Sequence, residues 1–323
     1  MITSRKLRMI YLCPKHYYDN KMSRVRFHQI EAISKLVDMK WSGPGWEGYD
    51  ANTTVQKNLE KIYDQLPDLI IYFDHLAMKD LALSTVPRCI MMNEMHDPQG
   101  DRASCHKIFV DSDPQIIICH HKNEMENDYF DDFRSRMHNI PHCADHSIFK
   151  DYELSKTTDV LLCGSLLLEK YALRRRFIGI IEKLKAHGYK AAIYQHPGGR
   201  MGDAHTGRYL VDFAKSINAA KICLTCSSTL RCAFGKYVEI PMCRSLLAGD
   251  LPDERQEFFE SFMLVIDSTD SDDQIVAKIE AQLLDLESKT NLGYELSMDY
   301  TMDHYAQRFL ATFKKYMTRK LVL

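Results

Sequence analysis

The stretch FGKYVEIPMCRSLLAGDLPDERQEFF, Phe234 to Phe259, decides the fold, because it joins a short helical pattern, a buried-strand pattern and one acid in an apolar setting. That acid is Glu239. It lies between Val238 and Ile240, on an apolar face of a helix that must end near Pro241. The run SLLAG, 245–249, is too short for a helix and is bounded by breakers, so it reads as a buried parallel strand. A helix end carrying an acid, followed by a buried strand, is where open α/β folds hold ligands. Local chemistry leaves two readings of Glu239 open: a ligand for a polar substrate, or a carboxylate that caps or ion-pairs near a helix terminus.

Lys236, Glu239, Ile240, Pro241, Cys243, Asp250, Pro252 and Glu254 carry a resemblance. The segment resembles the C-terminal signature of GT-B glycosyltransferases, in the spore-maturation-protein-like (CgeB type) branch of the group 1 superfamily, whose pattern runs K-x-x-E-I-P-A-C-G, apolar strand, D-x-x-P-E. The match covers roughly residues 158 to 270, and the N-terminal half agrees in outline. In that family the matching Glu accepts hydrogen bonds from the ribose hydroxyls of a nucleotide-sugar donor, which suits an ionised, positioned carboxylate. The resemblance implies that role for Glu239. Two departures stand out: Arg231 occupies the first position of the group 1 Glu-x7-Glu pattern, and Arg244 stands where the family has Gly.

At 323 residues the chain is long enough for two domains, each with its own core. Hydrophobic residues make up 45% and charged residues 27%, and no apolar run reaches the roughly 18 residues that suggest a membrane helix. Lys plus Arg (42) nearly balances Asp plus Glu (44), so no global field drives the chain onto nucleic acid or an anionic bilayer. Ten cysteines lie mostly in apolar strand patterns (Cys13, Cys89, Cys119, Cys163, Cys223), where a thiol behaves as a small hydrophobe. With no signal peptide visible, a reducing, cytoplasmic compartment is expected.

From the N-terminus, strand patterns at 8–13, 68–73, 88–93 and 115–119 alternate with helical or mixed segments around 54–66, 76–84 and 124–136. That alternation marks a parallel, doubly wound sheet. The loop after the first strand carries His16, Asp19 and Arg24 near its carboxyl edge, where open sheets present ligand groups. WSGPGWEGYD, 41–50, packs three glycines, a proline and both tryptophans together, so Trp46 either packs a rigid loop or offers a flat face to a sugar ring. After the strand at 88–93 come Glu94, His96 and Asp97. They are similar to a His-Asp element of group 1 enzymes, and an imidazole beside carboxylates can tune a general base toward neutral pH. IPHCADHSIF, 140–149, is similar to the family's interdomain segment. His138, His142, Cys143 and His146 could be imagined as a zinc site, but recognised zinc sites pair their ligands across defined turns.

The second half restarts with DVLLCGS, a strand ending in Gly164 and Ser165, before a helix carrying Arg174, Arg175 and Arg176. Strand, glycine, helix is a phosphate-binding geometry. His196 and Gly198 follow the next strand, and ICLTCSST places Ser227, Ser228 and Thr229 as expected N-caps of the helix bearing Glu239. A helix near 272–286 follows, then one near 302–317 with Tyr305, Phe309 and Phe313 on one apolar stripe.

The expected fold is therefore α/β, GT-B, with two Rossmann-like doubly wound domains facing a central cleft. Residues 1–150 form an acceptor-binding domain, 151–300 a nucleotide-sugar-binding domain, and 301–323 a helix crossing back to the first. The implied activity is glycosyl transfer from a nucleotide-diphosphate sugar, UDP-sugar favoured, to an unidentified glycan, protein, lipid or modified base. The donor set is Gly164, Ser165, Arg174, His196, Gly198, Ser227, Ser228, Arg231, Lys236 and Glu239. The acceptor set is His16, Asp19, Arg24 and Trp46, and the catalytic set Glu94, His96 and Asp97. No cofactor is expected beyond the nucleotide sugar as co-substrate, and no metal, because helix termini and arginines complement the diphosphate. A nucleotide-sugar epimerase of the same fold, or a non-catalytic nucleotide-binding protein, is the alternative.

Overall fold

The computed structural model of the chain describes residues 5–20, 24–72, 80–92, 102–126, 128–166, 169–194 and 206–320. They divide into two compact units: 1–141 with 303–323, and 142–302.

In the first unit, β1 (Arg8–Leu12) leads through α1 (Lys15–Asn20) and α2 (Arg24–Ser34) to β2 (Asp38–Ser42). Then come α3 (Val55–Ile62), β3 (Leu69–Tyr72), β4 (Arg88–Met92), α4 (Arg102–Ser112), β5 (Ile116–Cys119), α5 (Lys122–Met125) and β6 (Met137–Asn139). The six strands lie in the order β2-β1-β3-β4-β5-β6, every pair parallel. Apolar runs predict such strands because both faces of a parallel sheet are covered. Ile10, Leu12, Ile70, Tyr72, Ile90 and Ile117 enter one core with Leu59 and Phe109, while Met9, Tyr11, Ile71 and Ile118 are buried on the opposite face. Two expected helices are shorter than read. Leu81–Leu83 is a single 3-10 turn, and a 3-10 segment at Asp128–Arg136 follows the short α5.

The second unit runs β7 (Thr158–Leu162), α6 (Ala172–Ala186), β8 (Ala191–Ile193), α7 (Thr206–Asn218), β9 (Ala220–Leu224), α8 (Lys236–Met242) and β10 (Leu246–Gly249). It continues with α9 (Gln256–Glu260), β11 (Leu264–Val265), α10 (Asp272–Leu283) and α11 (Glu287–Ser297). Its five parallel strands take the order β11-β10-β9-β7-β8. Alternation along the strands divides the core: Leu161, Cys223 and Leu247 pack with α7 and α8, whereas Val160, Ile222 and Leu246 pack with α6 and α10. Residues 142–150 also pack here, because Ala144 pairs with Thr301 and Phe149 enters the core that includes Tyr237. A capping box from Ser271 and Gln274 starts α10.

The last helix, α12 (Met302–Lys320), packs from Asp303 onward with the first unit. Tyr305, Phe309 and Phe313 are buried, and the Tyr305 ring meets that of His120, 5.7 Å away. All ten cysteines are buried free thiols. Burial pushes the thiols of Cys89, Cys223, Cys226 and Cys243 above the ordinary range.

Because Phe309 is 1% exposed on the stripe that anchors α12, Phe309→Ala should cost about 3 to 5 kcal/mol. Leu284→Ala, at a side chain 89% exposed, should stay within about 0.5 kcal/mol of the parent. Urea denaturation followed by circular dichroism measures both.

Candidate active site

The carboxyl ends of β7, β9 and β10 meet around the loop 225–235, which leads into α8. Glu239 sits on the first turns of that helix and is only 6% exposed. Its Oε2 receives a hydrogen bond from Lys236 Nζ at 2.5 Å, one turn earlier on the same face. Oε1 lies over Gly235, where a Cβ would stand 3.0 Å from it. Glycine at 235 therefore clears the approach to the second carboxylate oxygen. Lys236 in turn lies over the Phe213 ring, 4.7 Å from its centroid, which restricts where the ammonium can sit. Pro241 lies inside α8, and the helix continues past it to Met242.

The loop before α8 is fixed by the acids of the segment that follows β10. Asp250 accepts from the Ser227 amide at 2.8 Å and from the Ser227 hydroxyl at 2.5 Å, and its own carbonyl accepts from the Tyr237 hydroxyl at 2.6 Å. Glu254 accepts from the amide of Ala233 at 3.0 Å. The Asp253 amide donates to the Arg231 carbonyl, and its carboxylate accepts from Arg231 Nε at 2.9 Å. Gly249 ends β10 against the Thr225 carbonyl, where a Cβ would come within 2.4 Å of the oxygen. Three acids and a glycine thus set the path of the loop. The sequence resemblance picked out Asp250 and Glu254 as pattern letters, but the amides they hold, those of Ser227 and Ala233, lie more than twenty residues earlier and leave no local signal.

Several expectations change. Ser227, Ser228 and Thr229 do not cap α8, because that helix begins at Lys236 with Gly235 at its N-cap position. The amide and hydroxyl of Ser227 are committed to Asp250 instead, and Ser228 Oγ accepts from the Leu230 amide. Ser228 and Arg231 both adopt left-handed backbone, φ 65° and 55°, which carries the chain round the loop. Arg231 is flanked by Asp253 and, at 3.8 Å, by Asp250, and these carboxylates hold its guanidinium pKa above the usual value. Of the three arginines on α6, Arg176 pairs with Asp272 on α10, Arg175 is exposed and Arg174 is buried.

Arg244, where the family pattern has Gly, takes φ 49°. That explains the glycine of the pattern, since this position ends α8 in left-handed backbone. The side chain repays the strain by pairing with Asp151 at 3.2 Å and lying over the Tyr294 ring. It borders a groove of about 510 Å³ with Lys156 and Asn218 at the amino ends of the strands, away from Glu239.

In the first unit, His16 and Asp19 are exposed on α1. The indole N–H of Trp46 donates to the Cys13 carbonyl at 2.9 Å and its ring packs on Tyr18, so the tryptophan braces the end of β1. Arg24 starts α2, and its side chain lies outside the described part. Glu94, His96, Asp97, His196 and Gly198 lie outside the described residues. Among the described residues, no three His, Cys, Asp or Glu side chains gather as a metal-ligand set.

No family model and no curated protein sequence matches the chain. Solved structures do. Sucrose-phosphate synthase from Thermosynechococcus elongatus is similar over 97% of this chain and 100% of its own, with 10% identity and a TM-score of 0.58. Anabaena HepE, solved with UDP and glucose, matches over 95% and 99% of the two chains at 11% identity and TM-score 0.62. A glycosyltransferase from Rickettsia africae matches over 97% and 99% at 9% identity and TM-score 0.60. The two parallel-sheet α/β domains of this chain thus have the fold of GT-B glycosyltransferases.

Removing the Asp250 carboxylate leaves the buried Ser227 amide and hydroxyl without their acceptor. Asp250→Ala should lose roughly 2 to 4 kcal/mol in urea denaturation. Asp250→Asn keeps one acceptor oxygen and should lose less than half as much.

Proposed function

We propose that this chain transfers a sugar from a nucleotide-diphosphate donor, a UDP-sugar by preference, to an acceptor hydroxyl or amine. One observation carries the reading: a buried carboxylate, Glu239, is held by Lys236 through one oxygen while its other oxygen faces the gap left by Gly235. A carboxylate so placed can accept from the ribose hydroxyls of a nucleotide. Support comes from the GT-B fold and from HepE, which was solved with UDP and with UDP-glucose. The pattern from Lys236 to Glu254 supports the CgeB-type branch.

In this reading the second unit binds the donor, with Glu239 and Lys236 at the ribose and Gly164, Ser165, Ser228 and Arg231 toward the diphosphate and sugar. His196 and Gly198 complete that set. The first unit receives the acceptor near His16, Asp19, Arg24 and Trp46. Glu94, His96 and Asp97 are the acid-base group. In the transfer the acceptor heteroatom bonds to the anomeric carbon, the bond from that carbon to the phosphate oxygen breaks, and UDP departs with the electron pair. The acceptor proton passes to the base. Arg231 faces the leaving diphosphate in this reading, and the transfer is proposed to run without a metal.

UDP at about 100 times its dissociation constant should add about 2.7 kcal/mol to the stability of the state that binds it, seen as a rise in melting temperature. Glu239→Gln should fold normally and bind UDP about ten- to a hundredfold more weakly by calorimetry. No shift with UDP, GDP, ADP or dTDP, or equal affinity in the variant, overturns the donor assignment. Transfer from a UDP-sugar should also survive EDTA. Loss restored by manganese or magnesium would instead place a metal at the diphosphate.

A further inference from the structure

The strand order β10-β9-β7-β8 reverses direction between β9 and β7. An open parallel sheet presents its ligand crevice at the carboxyl ends of such a pair. Arg174, on the first turn of α6, is 3% exposed and places its guanidinium across that junction. Nη1 donates to the Ser165 carbonyl, beyond β7, at 2.9 Å. Nη2 donates to Thr225 Oγ1 at 3.2 Å and to the Cys226 carbonyl at 3.3 Å, both beyond β9. The face of the guanidinium lies over the Tyr171 ring, 4.1 Å from its centroid. Gly164, at φ 105°, makes room for it, since a Cβ there would stand 2.8 Å from Cζ and Nη1.

These hydrogen-bond partners are all neutral. A guanidinium is ionised at any ordinary pH, and burying it without a carboxylate is costly. Two carbonyls and a hydroxyl hold the two Nη atoms, and Nε, buried as well, has no hydrogen-bond partner among the described residues, so the fork is held in place by neutral groups. Cys226 adjoins Ser227, which Asp250 latches to the segment running under Tyr237 and hence α8. One rigid fork therefore ties the end of β7 to the end of β9 and, through Ser227, to the helix that carries Glu239.

We infer that Arg174 is a positioning residue for the donor nucleotide: it fixes the two lips of the crevice from behind and makes no contact with the phosphates. The inference rests on the donor reading given above. A lysine keeps the charge but cannot fork to three acceptors across two strands. In Arg174→Lys, and in Thr225→Val, which removes one acceptor at nearly constant volume, the lips lose their fixed spacing. Calorimetry with UDP and with uridine should then show both affinities falling by a similar factor, about tenfold for Arg174→Lys and several-fold for Thr225→Val. Loss of UDP affinity with uridine affinity unchanged would make Arg174 a phosphate ligand and overturn the positioning role. Unchanged affinity for both ligands, with only a lower melting temperature, would leave Arg174 a structural residue and overturn it equally. Should Arg174→Lys fail to fold, Thr225→Val decides by the same criteria. If the unaltered chain binds neither UDP nor uridine, the donor reading fails and this inference with it. Binding by the unaltered chain with no loss in the variants defeats this inference alone.

Discussion

The buried carboxylate of Asp250 accepts from the amide and hydroxyl of Ser227, and its main-chain carbonyl accepts from Tyr237. The end of β9, the end of β10 and the start of α8 therefore meet at one residue. Hydrogen bonds to a charged group hidden from water are among the stronger polar contacts, and losing one partner strands the others. The position of Glu239 depends on this junction, because α8 is too short to fix its own orientation and takes it from Tyr237 and the loop before it. Glu254 and Asp253 reinforce the same loop from the other side. The acids of the DLPDE segment, 250–254, thus act indirectly on the backbone that carries Glu239, by holding the loop before it.

What was legible in the sequence follows from how local each signal is. The apolar runs at 8–13, 68–73, 88–93, 115–119 and 245–249 declare parallel strands because both faces must be apolar, and the structure has the strands Arg8–Leu12, Leu69–Tyr72, Arg88–Met92, Ile116–Cys119 and Leu246–Gly249 there. Glu239 could be singled out because an acid between Val238 and Ile240 contradicts its surroundings. Of its two local readings the ion pair is the one seen, with Lys236 on one oxygen, while the other oxygen lies beside Gly235. Arg174 was less legible. A run of three arginines gives no sign that one turns inward to cross two strand ends, another pairs with Asp272 and the third faces water. The serines at 227–228 misled for a similar reason: cap chemistry is local, but the distance from Ser227 to α8 is set by Asp250, far along the chain. Of the two readings of Trp46, the bracing of a rigid loop is the one seen, through its indole N–H to Cys13.

The two glycines at strand ends repeat one device in the two units. Gly43 lies against the Cys13 carbonyl and Gly249 against that of Thr225, each with 2.4 Å between the oxygen and the place a Cβ would occupy. Each brings two backbones closer than any side chain permits. Both lie at the carboxyl edge of their sheet, so that edge is built from main chain packed on main chain.

The ten buried free thiols bear on how the molecule comes apart. Four belong to the first unit and six to the second, so the opening of either exposes several at once. Folded, they are inert, because burial puts them out of reach. Unfolded, they become reachable, and dissolved oxygen can oxidise pairs of them to disulfides, itself being reduced to peroxide. Without reductant, heating is then a one-way passage. The lifetime of the native state is governed by the rate at which a unit first opens, and its melting point shifts with the speed of the scan.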